Sequence, residues 1–430
     1  MAFALTWKIE FGDINGLTNI TSYVQQMNLD LSAELAVCGR GSAQLTINNN
    51  GGQFTPTSGT YGSVDWFSKA IVITATSGVN TGIVFTGMIV DYQITMVNSK
   101  ESTVTIDCLD AFSFGGKSFA RAPTNPDLAL VIETAVERSF NGQGTANFEV
   151  IQTPTLGQSI SYFSKVEVTN ATGSNTSIDP TTINYGYIGD WLNNQILPSG
   201  PSALIPTDYV IGTYAGTPNV WIWNATLIDR QLNRTSPTLY EFADGSSAIT
   251  TGQIPFSDIS TGFRVEDLTN EAIISRVPAS VPTATNDASQ TLYGPRTRSY
   301  TNVAAGSLST YQSDISNFWV NRYGSIQYLP LEIQTSYAVL KGSAVDDGVA
   351  MLEFMQLLWP STALWNRLTI KYKPTGATST QTIQMVATRR LITADPSNTT
   401  IRLTVKSGAD NQSFELDSST YGILDTNRLA

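Results

Sequence analysis

Apolar residues recur at every second position along much of the first 120 or so residues. Trp7, Ile9 and Phe11 alternate with Lys8 and Glu10, and Ala43, Leu45 and Ile47 alternate with Gln44, Thr46 and Asn48. Val104, Ile106 and Cys108 repeat the pattern against Thr105 and Asp107. That period belongs to a strand with one buried face. Ile20–Val24, Ile71–Ile73 and Val84–Val90 are further strand candidates, separated by Gly/Asn/Ser runs such as Ser77-Gly-Val-Asn-Thr-Gly82. After Ile47, Asn50-Gly51-Gly52 tolerates positive φ, Phe54 returns an apolar anchor and Pro56 removes a ladder N–H. The corner therefore reads as a hairpin turn. Short strands at this spacing predict a barrel or sandwich.

The period then lengthens. Asn125 suits a helix cap, Pro126 the first turn and Asp127 the positive N-terminal end. Leu128, Val131, Ile132, Ala135 and Val136 follow at helical spacing, so a helix is predicted near 126–139. A second is predicted near 187–197, with Trp191 and Leu192 inward, and Leu308, Tyr311, Ile315, Phe318 and Trp319 mark a third. Phe263–Ile274 reads as extended, and Pro278–Ser289 as a flexible link or long loop. Ile326–Ile333, Leu368–Tyr372, Ile383–Val386 and Ile401–Val405 complete the strands. The expected class is mainly β with a few helices, a β-rich α+β protein.

At 430 residues the chain has room for two to four structural units. Charged residues are only 14%, with Ser, Thr, Asn and Gln filling the surface, which fits a β-rich protein of a virion or cell exterior. The net charge of −11 argues against tight nucleic-acid binding, which needs a dense cationic face. An acidic surface instead suits a conduit through which DNA slides without sticking. No run of about 18–20 apolar residues predicts a membrane-spanning helix. The first residues show no secretion signal, which points to virion assembly inside a host and release on lysis. Cys38 and Cys108 both fall in the first β-unit, so a bridge between them is open, although cytosolic assembly favours free thiols.

The chain has no histidine. Ser-His-Asp and Cys-His hydrolysis in their usual forms are thereby excluded, as are His-ligated zinc hydrolases. Paired-carboxylate chemistry leaves Asp107/Asp110, Glu266/Asp267/Glu271 and Asp346/Asp347, none in a recognisable catalytic context. Asp107 and Asp110 read as solvent-facing at a strand end, and Asp346-Asp347-Gly348 as a turn. Neither an EF-hand spacing nor a phosphate-binding Gly loop is present, so no catalytic residue, metal site or cofactor is expected. Trp221 and Trp223 share one face of a strand and would form a glycan-binding platform, or pack a small β-core.

Several segments resemble the minor tail proteins of long-tailed bacteriophages. Ala43–Pro56 is similar to their strand, Asn-rich turn and Phe-Thr-Pro run, and Val84–Val90 followed by Ser102–Asp110 looks like a second paired motif. Ser289-Gln-Thr-Leu-Tyr-Gly-Pro-Arg296 resembles the run before their long helix, and Phe414–Asp425 with Arg428 and Leu429 resembles their closing tail. The four stand in the family's order and cover roughly residues 20–115 and 260–430. The resemblance implies a tail-tip, or baseplate, hub: a homotrimeric ring at the distal end of the tail tube. Each subunit would bring two tube-like β-barrels, one from 1–118 and one from 256–285 with 335–430. Inserted hub domains would span 119–255, and 286–334 would be a linker and long helix. The implied neighbours are a distal tail protein, the C-terminus of a tape-measure protein and a central fibre or spike, with DNA passing through the lumen unbound. A carbohydrate-binding adhesin working through the middle region is the alternative, and a carboxylate-dependent wall hydrolase a third class.

Overall fold

The computed structural model describes residues 5–13, 16–32, 40–110 (without 63, 65, 67, 68, 78, 79 and 99), 165–170, 187, 190, 194, 202–214, 217–229, 240–245, 250, 253–275, 283–301, 308–336 and 367–407 (without 396). Within them the chain is mainly β, as its alternation predicts. Seven strands come first: β1 (Leu5–Asp13), β2 (Gly16–Asn19), β3 (Val24–Ser32), β4 (Arg40–Asn48), β5 (Ala70–Ser77), β6 (Asn80–Met96) and β7 (Ser102–Leu109). They pair antiparallel in the order β3-β4-β7-β6-β5-β1-β2. The alternating residues read from the sequence, Ile9, Phe11, Leu45, Ile47, Val104 and Ile106 among them, lie in one core.

Two expectations in this half are corrected. Ile20–Val24 is not a strand, because Thr21–Tyr23 forms a 3-10 turn and β3 begins at Val24. Ile20 donates its N–H to the Ile9 carbonyl, and the Thr21 hydroxyl accepts the Ile9 N–H at 2.8 Å. These contacts take up the backbone of β1 and force a corner in place of a ladder. The Asn50-Gly51-Gly52 segment is likewise no hairpin turn. β7 and β6 stand between β4 and β5, so the chain must cross the sheet to reach its next strand.

That crossing is organised by a buried amide. Asn49 is about 1% exposed; its Oδ1 accepts the Phe54 N–H at 2.9 Å and its Nδ2 donates to the Thr55 and Ser102 hydroxyls. Asn50 lies outside and accepts the Ser102 N–H. Gly52 sits at φ +67°, where a side chain would be strained. The turn thereby delivers Phe54 into the core, against Tyr23 and Tyr61. Trp66 stacks on Phe11 at 4.5 Å and on Tyr92 at 4.9 Å, and the Tyr92 hydroxyl donates to the Phe54 carbonyl. The crossing segment is thus a plug of aromatic rings held by polar ties.

The remaining strands are β8 (Lys165–Asn170), β9 (Ser202–Tyr214), β10 (Thr217–Asp229), β11 (Tyr240–Ala243), β12 (Gln253–Pro255), β13 (Asp258–Gly262), β14 (Glu271–Ser275) and β15 (Ala284–Thr285). Helix α1 (Asp287–Tyr293), β16 (Thr297–Thr301), helix α2 (Leu308–Tyr323), β17 (Leu329–Ser336), β18 (Arg367–Tyr372), β19 (Gln381–Ala394) and β20 (Thr399–Ser407) follow. α2 is the helix predicted from Leu308 to Trp319. The helices predicted near 126–139 and 187–197 lie outside the described residues, apart from Tyr187, Asp190 and Asn194. Three-stranded sheets form from β8-β10-β9 and from β15-β14-β16. α1 begins at Asp287, so the expected loop through Ser289 gives way to a helix capped by the Asn286 side chain.

β19 joins the two halves of the chain. Its first residues pair with β18, its last six pair with β3, and β20 runs along its other edge. A register shift between Ala387 and Arg389 marks the changeover. One 14-stranded sheet therefore contains β1–β7, β11–β13 and β17–β20 among the described residues. β11 and β12, from the range expected as an inserted domain, pair through β11 with β18, whereas β14 and β15 sit apart with β16. The described strand pairings follow this branched path without returning on themselves. At the seam the Arg389 guanidinium forks onto the Asp30 carboxylate at 2.9 and 2.5 Å. Arg390, about 1% exposed, reaches from β19 to donate to the Val84 carbonyl of β6 at 3.0 Å.

Burial pushes the Tyr92 phenol up to about 12 from an ordinary 10. A folded value above the unfolded one means that its contribution is intact below pH 10 and is lost as the pH rises toward 12. Tyr92→Phe is expected to cost about 1 kcal/mol near neutrality, through the lost hydrogen bond to Phe54. It should also flatten the fall in stability over that alkaline window. Urea unfolding of both proteins at several pH values tests this, and an equally steep fall in the variant would refute it.

Candidate functional site

The motif at 289–296 is built around one side chain. Asn270 precedes β14 and is fully buried. Its Nδ2 donates to the Ser289 hydroxyl at 3.1 Å and the Gly294 carbonyl at 2.9 Å, and its Oδ1 accepts the Arg296 N–H at 2.7 Å. Gly294 ends α1 at φ +70°, a conformation that favours glycine. The Ser, Gly and Arg of the motif are therefore placed to meet one amide. α2 then packs on β14, with Trp319 buried beneath the Arg298 guanidinium, which lies 3.9 Å from its ring centroid.

The acidic pairs do not gather into a reactive set. Asp110 is buried, not solvent-facing, and accepts the Gly41 N–H, because β7 ends where β4 begins. Asp107 is half-buried and accepts from Gln44 at 2.9 Å. Asp267 pairs with Lys406 at 2.7 Å, Glu271 accepts from Gln290 and Thr297, and Glu266 is exposed. Asp346 and Asp347 lie outside the described residues. Among the described residues no group of three or more His, Cys, Asp or Glu is placed to hold a metal ion. No described helix is long and apolar enough to cross a membrane.

Cys108 is a free, buried thiol, and burial, with the Asp107 charge adding to it, pushes its ionisation well above the usual range. Cys38 lies outside the described residues. Trp221 and Trp223 stand in β10 opposite Ile211 and Tyr209, in unbroken register.

The structure brings together one constellation that sequence reading missed. A small cleft of about 60 Å³ lies between the segment after β13, the end of α2, the start of β17 and the end of β20. Arg264, Arg322 and Lys406 line it with the single carboxylate Asp267. Arg322 is about 5% exposed, and Arg264 stands 3.9 Å from Glu332. At the rim Phe263 and Tyr328 meet edge to face at 5.2 Å, although they are 42% and 74% exposed. Phe263 and Lys406 stand 143 positions apart, so no local pattern could announce them. The cleft is lined by paired charges and aromatic rings, and no nucleophile–base pair stands among its lining residues.

Asn270→Ala is expected to lower stability by about 3 kcal/mol, since it orphans several buried polar groups at once. Leu292→Ser, on the exposed face of α1, should change it by less than about 0.5 kcal/mol. Chemical denaturation of the two variants tests the contrast, and equal effects would contradict the role given to Asn270.

No protein-family model matches the chain, and no curated protein matches it in sequence. Among solved structures it is similar to the tail protein from Neisseria meningitidis MC58, at 10% identity and a TM-score of 0.52 over 94% of this chain and 98% of that one. It is similar also to the 43 kDa tail protein of prophage MuSo2 from Shewanella oneidensis, at 12% identity and a TM-score of 0.50 over 94% of this chain and all of that one. At such identities the likeness is one of fold, and it runs nearly end to end. The β-rich fold described above is one that this chain shares with two tail proteins.

Proposed function

We propose that the chain is a structural component of a bacteriophage tail tip, forming a ring-shaped hub at the distal end of the tail tube. The observation that carries this reading is the end-to-end likeness of fold to two tail proteins, across 94% of the chain in each case. The fused sheet supports it as well, because a wall element must resist shear between its two halves. β19 ties them with backbone hydrogen bonds on both of its edges.

In this reading the hub caps or extends the tube, and opens to let DNA leave. Residues 1–118 form one tube-like unit, and 256–285 with 335–430 supply the second, with 119–255 and 286–334 as the hub's inserted parts. Three copies make the ring. Its neighbours are a distal tail protein, the tape-measure C-terminus and a central fibre or spike. The protein is assembled in the host cytoplasm, resides at the virion tail tip and has no catalytic role. A net charge of −11 suits a lumen that DNA crosses without adhering. The adhesin alternative, through Trp221 and Trp223, has only the backbone register of β10 behind it.

Purified full-length protein is expected to show a solution mass three times that of the chain, by light scattering. Antibody raised against it should label the distal end of tails in electron micrographs. Labelling along the tail shaft or on the capsid would refute the tail-tip position, whatever the mass.

A further inference from the structure

The two halves of the large sheet repeat one another. The first half runs β3-β4-β7-β6-β5 and the second β13-β17-β20-β19-β18, with every neighbouring pair antiparallel. Their irregularities coincide as well. β19 shifts register against β20 between Ala387 and Arg389, and β6 shifts against β7 between Ile89 and Asp91. Aligned at that shift, residues 91–96 of β6 stand where 389–394 stand in β19. The pairs Tyr92–Ile106 and Ile94–Val104 then answer to Arg390–Leu403 and Ile392–Ile401.

In the second half, residues 389–394 pair with β3 across the seam. Residues 91–96 have no such neighbour: β5 stops pairing at Met88, and among the described residues only β7 pairs with β6 beyond it. β9 comes near β6 without forming a ladder, and Asp91, Gln93, Thr95 and Met96 stay exposed. The counterpart of β3 is β13, and its edge is open too, since among the described residues only β17 pairs with it. The backbone beyond β13 is still extended at Arg264, with φ −121° and ψ 117°. β6 therefore lacks the neighbour that β13 would be, and β13 lacks the neighbour that β6 would be. The two halves of one chain already meet through β3 and β19, so a second copy is what can match these edges.

We propose that β6 of one copy pairs antiparallel with β13 of the next, repeating between copies the seam that β19 and β3 form within one. The register carries over. Pairings with β4 and β17 set Met27 level with Ile259, so Met96 comes opposite Ile259, Thr95 opposite Ser260 and Tyr92 opposite Phe263. Met96 and Phe263 are 72% and 42% exposed in the single chain, whereas their counterparts at the seam, Ala394 and Leu31, are buried. Pairing thus covers apolar surface and satisfies edge N–H and C=O groups together. The contact uses different edges on the two copies, so it closes into a ring or runs on as a filament. Closure after three copies rests on the hub reading, but the edges and their register do not.

The test uses full-length protein carrying Cys38→Ser, which leaves the buried Cys108 as its native thiol. Thr95→Cys with Ser260→Cys places two thiols on directly opposed residues. Mild oxidation should join this double variant into covalent multiples of the chain on a non-reducing gel. Neither single variant should cross-link, and a mixture of the two should stop at the dimer. Asn28→Cys with Thr393→Cys, the same pair within one chain, should close without adding mass. Met96→Lys should weaken self-association about tenfold by light scattering, with circular dichroism unchanged. No cross-link between copies while the internal pair closes, cross-linking by a single variant, or a mass indifferent to Met96→Lys overturns the proposal. If the internal pair stays open, Met96→Lys decides alone. A trimer without the cross-link would overturn these edges and leave the ring. Antibody labelling away from the distal end would refute the tail-tip position and leave this contact standing.

Discussion

The two-sided hydrogen bonding of β19 is the constraint on which the rest of the large sheet depends. A strand in a sheet interior must satisfy its N–H and C=O groups on both edges, and β19 does so with three different neighbours. Its irregularity at Ala387–Arg389 allows one strand to leave the register of β18 and enter that of β3. Ile392 and Ala394 are then buried between Leu29 and Met27 on one side and Ile401 and Thr399 on the other. Arg390 carries the connection past the nearest neighbours, to β6. The Arg389–Asp30 fork lies nearer the solvent, where such pairs contribute under about 1 kcal/mol, so it defines register more than it stabilises.

Away from that seam, buried amides do the organising. Asn49 and Asn270 each gather a chain reversal that would otherwise leave backbone groups without partners in an apolar setting. Each also aims something: Asn49 sends Phe54 into the core, and Asn270 fixes the segment between α1 and β16. A buried amide satisfied by specific partners tolerates few alternative arrangements, which gives these turns one conformation. Such devices stiffen a scaffold. Apolar surface remains exposed elsewhere, at Phe263 and Tyr328 among the described residues.

Much of the fold was legible in the chain. The period-two runs at Trp7–Phe11, Ala43–Ile47 and Val104–Cys108 are strands with the predicted faces buried, and α2 stands where its spacing put it. β3 was equally legible through Met27, Leu29 and Leu31, although Ile20, Tyr23 and Val24 just before it suggest a strand that ends sooner. Arg389 and Arg390 hid the second half of β19, because two adjacent charges look like a strand's end until one of them is found buried. The Asn50-Gly51-Gly52 segment has the spelling of a hairpin. Whether a turn leads to an adjacent strand or across a sheet depends on which strands pair, and that is non-local information.

The sequence by itself determined the class of this protein: β-rich, acidic and without the histidine that common hydrolytic chemistries require. It determined the local devices too, since alternation, turn residues and caps act through neighbours along the chain. Only the tertiary structure decided that the two halves share one sheet, that Asp110 is buried, and that three cations and two aromatic rings meet in a cleft. Each of these rests on contacts between residues tens to hundreds of positions apart. Such contacts are chosen by the free energy of the whole packed arrangement, and no single segment carries their signature.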